Sequence, residues 1–384
     1  MIDKSIFLIA GEASGDTLGA SLMKGLKNQG VPENNLNGIG GDAMKAEGLE
    51  SILPMEELCV MGLWEVAGHL PRLLKLIQGI IEEIEESKPD YVVTIDLPDF
   101  NFQLAKRLKA RGNFKGKVIH YVAPSVWAWR PKRAENISKF LDGLMCLFPF
   151  EPPFFEKHGL KTQYVGHPLI EIDKGSLDPE KFKRDRQITD DQYCLGVFLG
   201  SRIQEIKAHK KPFLETIEIL NEQIDGLQII MPTPPNMEFE LRSEMEDVDF
   251  DLHIVPAVDQ KWEAFRACDS AMAVSGTVGL ELAYMDVPHI IGYKANAMTA
   301  AIVKSMIKVK NVHLANILLE EEVVPEYLQG RCNVQQLARG VLKLYKFEEE
   351  RQKQHEAFKR LNEKLQLPVG AMPSKAAAEF VLNL

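Results

Sequence analysis

Ala271-Met272-Ala273-Val274-Ser275-Gly276-Thr277-Val278-Gly279-Leu280-Glu281 reads as a buried strand that turns into a helix. The apolar run breaks at Ser275-Gly276-Thr277 and resumes at helical spacing through Leu280, Leu282 and Ala283. Such a helix start is an anion site, because its first N–H groups lack partners and its dipole is positive there. Gly276 admits a phosphate close to the backbone, and Ser275 or Thr277 can cap the helix and offer a hydroxyl. Glu281, a turn further on, can accept hydrogen bonds from a ribose. The plainer reading is a capped strand-to-helix turn with a solvated Glu, common in α/β folds.

The chain around this motif has 384 residues, which favours two domains. The apolar fraction of 45% and the net charge of −10 describe a globular protein and argue against broad nucleic-acid binding. Five cysteines are scattered without a CxxC, which fits unpaired thiols in a reducing compartment. The nine histidines show no metal-ligand spacing, so no metal site is expected. The N-terminal apolar run, Ile6 to Ala10, is too short for a signal peptide, and no stretch reaches bilayer length. A cytoplasmic protein is the simplest expectation.

The first half alternates strands and helices, with short strands expected at 36–39 and 143–148 among them. Residues 5–10 predict a buried strand, followed by Gly11-Glu12-Ala13-Ser14-Gly15-Asp16, a turn into a helix with Asp16 favoured near its start. Residues 91–95 predict another strand, ending in Asp96-Leu97-Pro98-Asp99. A carboxylate at a strand end is placed for general-base work, although Asp99 also fits the start of the next helix. A strand at 117–122 leads to Pro124-Ser125-Val126-Trp127-Ala128-Trp129-Arg130, whose tryptophans can wall a pocket or bury the loop. Between these, residues 63–77 keep helical apolar spacing. Trp64, Val66, Leu70, Leu73 and Leu74 make either a core stripe or a surface that enters a membrane interface, flanked by Arg72 and Lys75.

Residues 170–192 lose the apolar period and mark a junction. A second strand-helix series then starts at 193–199 and runs into Gly200-Ser201-Arg202. Arg202 matches a diphosphate in bidentate fashion, or else pairs with Glu205. Strands are expected at 227–231, 252–255, 270–274 and 287–292. A helix is expected at 297–309, an irregular connection carrying Asn316 at 311–319, and helices at 334–345, 348–365 and 374–384. The fold class is therefore α/β, with two Rossmann-like doubly wound domains facing across a cleft. A diphosphate loop in one and carboxylates in the other suggest a nucleotide-sugar enzyme.

The sequence resembles the lipid-A-disaccharide synthase family, glycosyltransferases of the GT-B fold. The stretches that carry the resemblance are AGEASGDTLGA (10–20), VMGLWEV (60–66), IDLPDFN (95–101), HYVAPSVWAWR (120–130), VGHP (165–168), LGSR (199–202), SGTVGLE (275–281) and NILLEEEVVPEYLQ (316–329). Leu199 stands where the family usually has proline, and Ala315 precedes Asn316 where it often has Pro-Asn.

The resemblance implies an inverting transfer of 2,3-diacylglucosamine from its UDP donor to 2,3-diacylglucosamine 1-phosphate (lipid X). The products are a β-1,6-linked disaccharide 1-phosphate and UDP. No cofactor is required. Asp96 matches the family's proposed base, with Asp99 its local competitor. Arg202, Ser275, Gly276, Thr277, Glu281 and Asn316 fall on the donor side. Ser14, Gly15, Trp127 and Trp129 fall on the acceptor side. The implied layout is an acceptor and lipid-binding domain over 1–170, a donor domain over 171–346, and C-terminal helices over 347–384 that return to the first domain or a neighbour's. Acylated substrates favour the membrane reading of residues 63–77, at the cytoplasmic face of the inner membrane, and a homodimer is compatible with the chain. Two competing readings are a UDP-sugar 2-epimerase of the same fold and a non-enzymatic two-lobed binding protein.

Overall fold

Short apolar runs ending in glycine-bearing turns become parallel strands, because a strand covered by helices on both faces is apolar throughout. The computed structural model describes residues 2–59, 66–128, 130–201, 203–234, 237–245, 248–256, 260–294 and 311–384, without the side chains of 59, 66–70, 244 and 369. The chain divides into two compact units, Met1–Glu171 with Leu365–Leu384, and Ile172–Lys364.

The first unit begins β1 (Ile6–Ala10), α1 (Ala13–Asn28), β2 (Leu36–Ile39), α2 (Asp42–Ala46), α3 (Glu56–Cys59) and α4 (Val66–Ser87). It continues with β3 (Tyr91–Ile95), α5 (Pro98–Arg111), β4 (Lys117–Tyr121), α6 (Lys132–Ile137), β5 (Gly143–Cys146), α7 (Pro153–Glu156) and β6 (Lys161–Tyr164). The strand order is β2-β1-β3-β4-β5-β6, all parallel. Every residue of β1 and β3 is buried. Phe7, Ile9 and Val92 share one core with Ile80, Ile81 and Ile84 of α4 and Leu104 and Leu108 of α5. Each such side chain contributes about 1.5–3 kcal/mol by leaving water.

The second unit contains α8 (Pro179–Asp185), β7 (Cys194–Phe198), α9 (Ile203–Asn221), β8 (Gln228–Thr233), α10 (Glu238–Glu244), β9 (Asp251–Pro256) and α11 (Lys261–Arg266). Then come β10 (Ser270–Ala273), α12 (Thr277–Tyr284), β11 (His289–Tyr293), α13 (Leu314–Leu319), β12 (Glu326–Leu328), α14 (Val334–Lys346) and α15 (Glu348–Leu365). The order is β12-β11-β10-β7-β8-β9, again parallel. Phe213 and Ile217 of α9 and Leu337 and Val341 of α14 close its core over Val197, Met272 and Ile290.

The last helix, α16 (Pro373–Leu382), belongs to the first unit and packs against α1. Tyr164 Oη donates to Leu365 O at 2.8 Å, and Lys161 Nζ donates to Asn383 O at 3.1 Å. The helix α15 lies almost wholly in the second unit, so only the chain from Leu365 onward returns.

Each sheet has one point where successive strands are laid down on opposite sides of the first. In the first unit it lies between β1 and β3, and in the second between β7 and β10. Ligands of open α/β sheets bind outside the strand ends at such a switch point. One expectation needs correction: residues 314–319 form a helix rather than an irregular connection. The boundary between the units, at 171/172, falls in the charge-rich 170–192 region, which also contains α8. Asp178 caps α8 by accepting from Lys181 N at 2.8 Å, so charge there marks a solvated helix. The helix expected at 297–309 lies outside the described residues.

Candidate active site

At the first switch point, Ala10 of β1 pairs with Ile95 of β3, so the turns that follow both strands emerge together. Ser14 Oγ donates to Asp96 Oδ2 at 2.8 Å. Gly15 permits this approach, because a Cβ there would lie 3.3 Å from Ile95 O and 3.5 Å from Asp96 Cβ. Asp96 and Leu97 both adopt left-handed backbone, with φ of 52° and 43°. Val122, at the end of the adjacent β4, has φ of 87°. Non-glycine residues in this region cost about 1–3 kcal/mol each and cluster at functional sites. The surroundings hold the turn. Asp96 N donates to Tyr121 O at 2.9 Å, and the buried Asn101 amide donates to Asp96 O at 2.7 Å and Ile95 O at 3.2 Å.

The adjacent strand β4 holds a histidine that the sequence reading did not single out. His120 is fully buried, and its Nδ1 lies 2.8 Å from Thr94 Oγ1 on the neighbouring strand. Burial, followed by the nearby Arg133 charge, pushes its pKa down to about 3, so it is neutral at physiological pH. Arg133 also donates to Asp99 Oδ1 at 2.6 Å. Asp99 is thus an exposed residue in the first turn of α5, tied into a surface ion pair, whereas Asp96 stands at the strand end.

Trp127 donates through Nε1 to Glu151 Oε1 at 3.4 Å and meets Phe150 edge-on at 5.3 Å. Glu151 is buried, accepts from Phe148 N at 3.1 Å, and is pushed up to about 8 by that burial. The tryptophan loop is therefore anchored by an acid whose burial favours the protonated form, a role with no sequence signal beyond a Glu beside two prolines. Trp129 lies outside the described residues. Asp16 caps a helix other than its own. Its buried carboxylate accepts from Gly41 N and Ala43 N at 2.8 Å and Met44 N at 3.1 Å, satisfying the start of α2.

In the second unit, Val274 N donates to Phe198 O at 3.0 Å, which keeps the loops after β7 and β10 side by side. Among the described residues no side chain caps α12, contrary to the expectation for Ser275 or Thr277. Gly276 and Thr277 are exposed. Gly276 has nothing within 4 Å of where a Cβ would be. The helix start is therefore open, with its N–H groups unclaimed by side chains among the described residues. Ser201 N donates to Glu205 Oε2 at 3.2 Å, so Glu205 backs the preceding loop, while Arg202 lies outside the described residues.

Glu281 accepts from Lys261 Nζ at 2.8 Å, with side-chain exposures of 20% and 26%. Asn316, by contrast, has nothing left to offer a ligand. Its amide donates to Val324 O at 2.8 Å and Glu326 Oε1 at 2.9 Å, and accepts from Val323 N and Val324 N at 2.9 Å. Replacing Asn316 by Ala leaves two backbone donors unpaired, each costing about 1–3 kcal/mol. The expected result is a clear fall in the denaturation midpoint. A variant with unchanged stability and weakened UDP binding would instead make Asn316 a ligand residue.

The proposed membrane helix α4 changes character along its length. Ile77, Ile80, Ile81 and Ile84 are core, Leu73 is partly buried against that core, and Leu74 is 36% exposed. Trp64 and the side chains of Val66 and Leu70 lie outside the described residues. No helix among the described residues is long and apolar enough to cross a membrane.

A family model described as lipid-A-disaccharide synthetase matches residues 6–380. The lipid-A-disaccharide synthase of Rhodospirillum centenum is 40% identical over 387 residues, 99% of this chain and 94% of that protein. Among solved structures, the UDP-GlcNAc 2-epimerase of Neisseria meningitidis, bound to UDP-GlcNAc, aligns at a TM-score of 0.62 with 11% identity, covering 99% of this chain and 98% of that one. The calicheamicin glycosyltransferase aligns at 0.59 with 14% identity and the same coverage. These two show the fold alone, a GT-B arrangement shared by glycosyltransferases and epimerases. The family match decides between the classes: it runs through both switch points, and the chain belongs to the lipid-A-disaccharide synthase family of glycosyltransferases.

Proposed function

We propose that the chain transfers 2,3-diacylglucosamine from UDP to the 6-hydroxyl of 2,3-diacylglucosamine 1-phosphate with inversion. The first unit supplies the base and the second holds the donor. Asp96 takes the proton of the acceptor hydroxyl, the oxygen attacks the anomeric carbon, and the bond to the diphosphate breaks as UDP leaves. The start of α12, with Arg202, stabilises the departing negative charge, fixed electrostatic help of the kind that is a large catalytic term. Glu281 accepts from the ribose. Ser14 orients Asp96, Gly15 keeps the approach open, and the loop with Trp127 and Trp129 lines the acceptor side. The observation that carries the reading is what each unit holds at its own switch point. One switch point presents a carboxylate on strained backbone, and the other presents an uncapped helix start.

The test is an assay in mixed detergent micelles. Disaccharide 1-phosphate and UDP should form from the two acylated substrates. Epimerisation of UDP-N-acetylglucosamine without disaccharide formation would sink the proposal.

Acylated substrates also require access to a lipid surface. We place that contact at the cytoplasmic face of the inner membrane, along Trp64, Val66, Leu70, Leu73 and Leu74, and retain a homodimer as part of the proposal. Leu74→Ser is the cleanest probe, since its exposed side chain leaves the core intact. Losing one inserted leucine, worth about 1.5–3 kcal/mol, should reduce the affinity for anionic vesicles, read by co-sedimentation, about tenfold to a hundredfold at unchanged melting temperature. Unchanged sedimentation would remove Leu74 from the contact.

A further inference from the structure

Glu281 sits one turn into α12, and its Oε1 is bonded at 2.8 Å by Lys261 at the start of α11. The two residues are 20 positions apart on different helices. Both side chains are mostly buried, at 20% and 26% exposure, so the pair is better shielded than a surface ion pair. The lysine is also held from below. Its ammonium lies 4.4 Å from the centre of the Trp262 ring and 5.6 Å from that of Phe265, and those two rings meet edge-on at 5.5 Å. Gln260, just before it, accepts from Arg186 Nη2 at 2.9 Å, which fixes the start of α11.

We infer that Lys261 is a positioning residue of the donor site, which holds one oxygen of Glu281 so that the other is presented to the ribose hydroxyls of a uridine nucleotide. A glutamate side chain has three rotatable bonds, and ordering it on binding would offset much of the gain from the hydroxyls. With Oε1 bonded, the carboxylate keeps one rotamer before the ligand arrives. Oε2 has no hydrogen-bond partner among the described residues. Two hydroxyls on adjacent ribose carbons suit a carboxylate fixed in this way. Lys261 does not itself touch the sugar, so its loss should affect ribose recognition rather than binding as a whole.

The inference rests on Glu281 being the ribose ligand, and the experiment separates the two claims. Calorimetry measures the affinities of the full-length protein for UDP and for 2′,3′-dideoxy-UDP. Hydrogen bonds to a charged group are worth about 1.5–3 kcal/mol, so the intact protein should prefer UDP by about tenfold or more. Lys261→Met keeps the apolar stem over Trp262 and removes the charge. It should bring the preference below about threefold, and Lys261→Arg should restore it. A residue that merely stiffened α11 would weaken both ligands together and leave the ratio intact. If Glu281→Ala abolishes the preference but Lys261→Met leaves it unchanged, the positioning role is refuted. If Glu281→Ala itself leaves it unchanged, the ribose reading falls, and the Lys261 role with it.

Discussion

Asp96→Asn is expected to lower turnover about a hundredfold to ten-thousandfold, the range for losing a general base, with UDP affinity nearly kept. The substitution isolates the chemistry because asparagine satisfies everything structural about the position. It tolerates left-handed backbone as well as aspartate does, so φ of 52° is retained. Its side-chain oxygen can still accept from Ser14 Oγ, the 2.8 Å bond of the native turn. Its backbone N–H still reaches Tyr121 O. What it lacks is a lone pair that can carry away the acceptor's proton. Steady-state rates with the acylated substrates and calorimetry with UDP give both halves of the result. Near-normal turnover would reject Asp96 and return attention to Asp99, despite its ion pair with Arg133.

The second large effect concerns the uncapped start of α12. Gly276→Asp should reduce UDP affinity at least a hundredfold while melting temperature stays level or rises slightly. Gly276 occupies the N-cap position with φ of 169°, an extended backbone open to any residue, and nothing lies within 4 Å of the new Cβ. Aspartate is a preferred N-cap residue, a few tenths of a kcal/mol better than glycine. Its carboxylate would accept from the N–H groups of the first turn and place a negative charge where the diphosphate is proposed to bind. The same side chain would thus help the helix and obstruct the ligand. A parallel loss of stability and affinity would mean that the loop had simply been damaged. Unchanged affinity would move the diphosphate away from α12.

Much of the fold was legible because its strands are uniform. Five consecutive buried residues in β1 or β3 leave little to compete with a central parallel strand. The strands that escaped notice are β6, Lys-Thr-Gln-Tyr, and β12, Glu-Tyr-Leu. Both are edge strands, short and polar, whose pairing comes from a neighbour already in place rather than from their own pattern. The site divides in the same way. Asp96, Ser14 and Ser275 to Thr277 follow recognisable strands, so chain order alone put them near strand ends. The partners Lys261 and Glu281, Trp127 and Glu151, or His120 and Thr94 are joined only through tertiary packing. No local spacing announces such pairs. Asn316 shows the converse case. A buried, well-placed amide resembles a ligand residue in sequence, and its four internal bonds become visible only in the fold.

The return of α16 to α1 governs the order in which the protein is completed. Gly25 of α1 sits so close to the tail that a Cβ there would be 2.0 Å from Ser374 O and 3.3 Å from Ala378 Cβ, and Pro373, Ala377, Phe380 and Val381 of the same helix are buried. A ribosome adds about 5–20 residues per second. The α1 surface therefore waits some tens of seconds for its cover, while the whole of the second unit is made in between. The second unit, contiguous in sequence, can close first. The first unit begins synthesis early and finishes last, carrying an uncovered apolar face through the interval. Its native state depends on residues 365–384 as much as on its own first 171 residues.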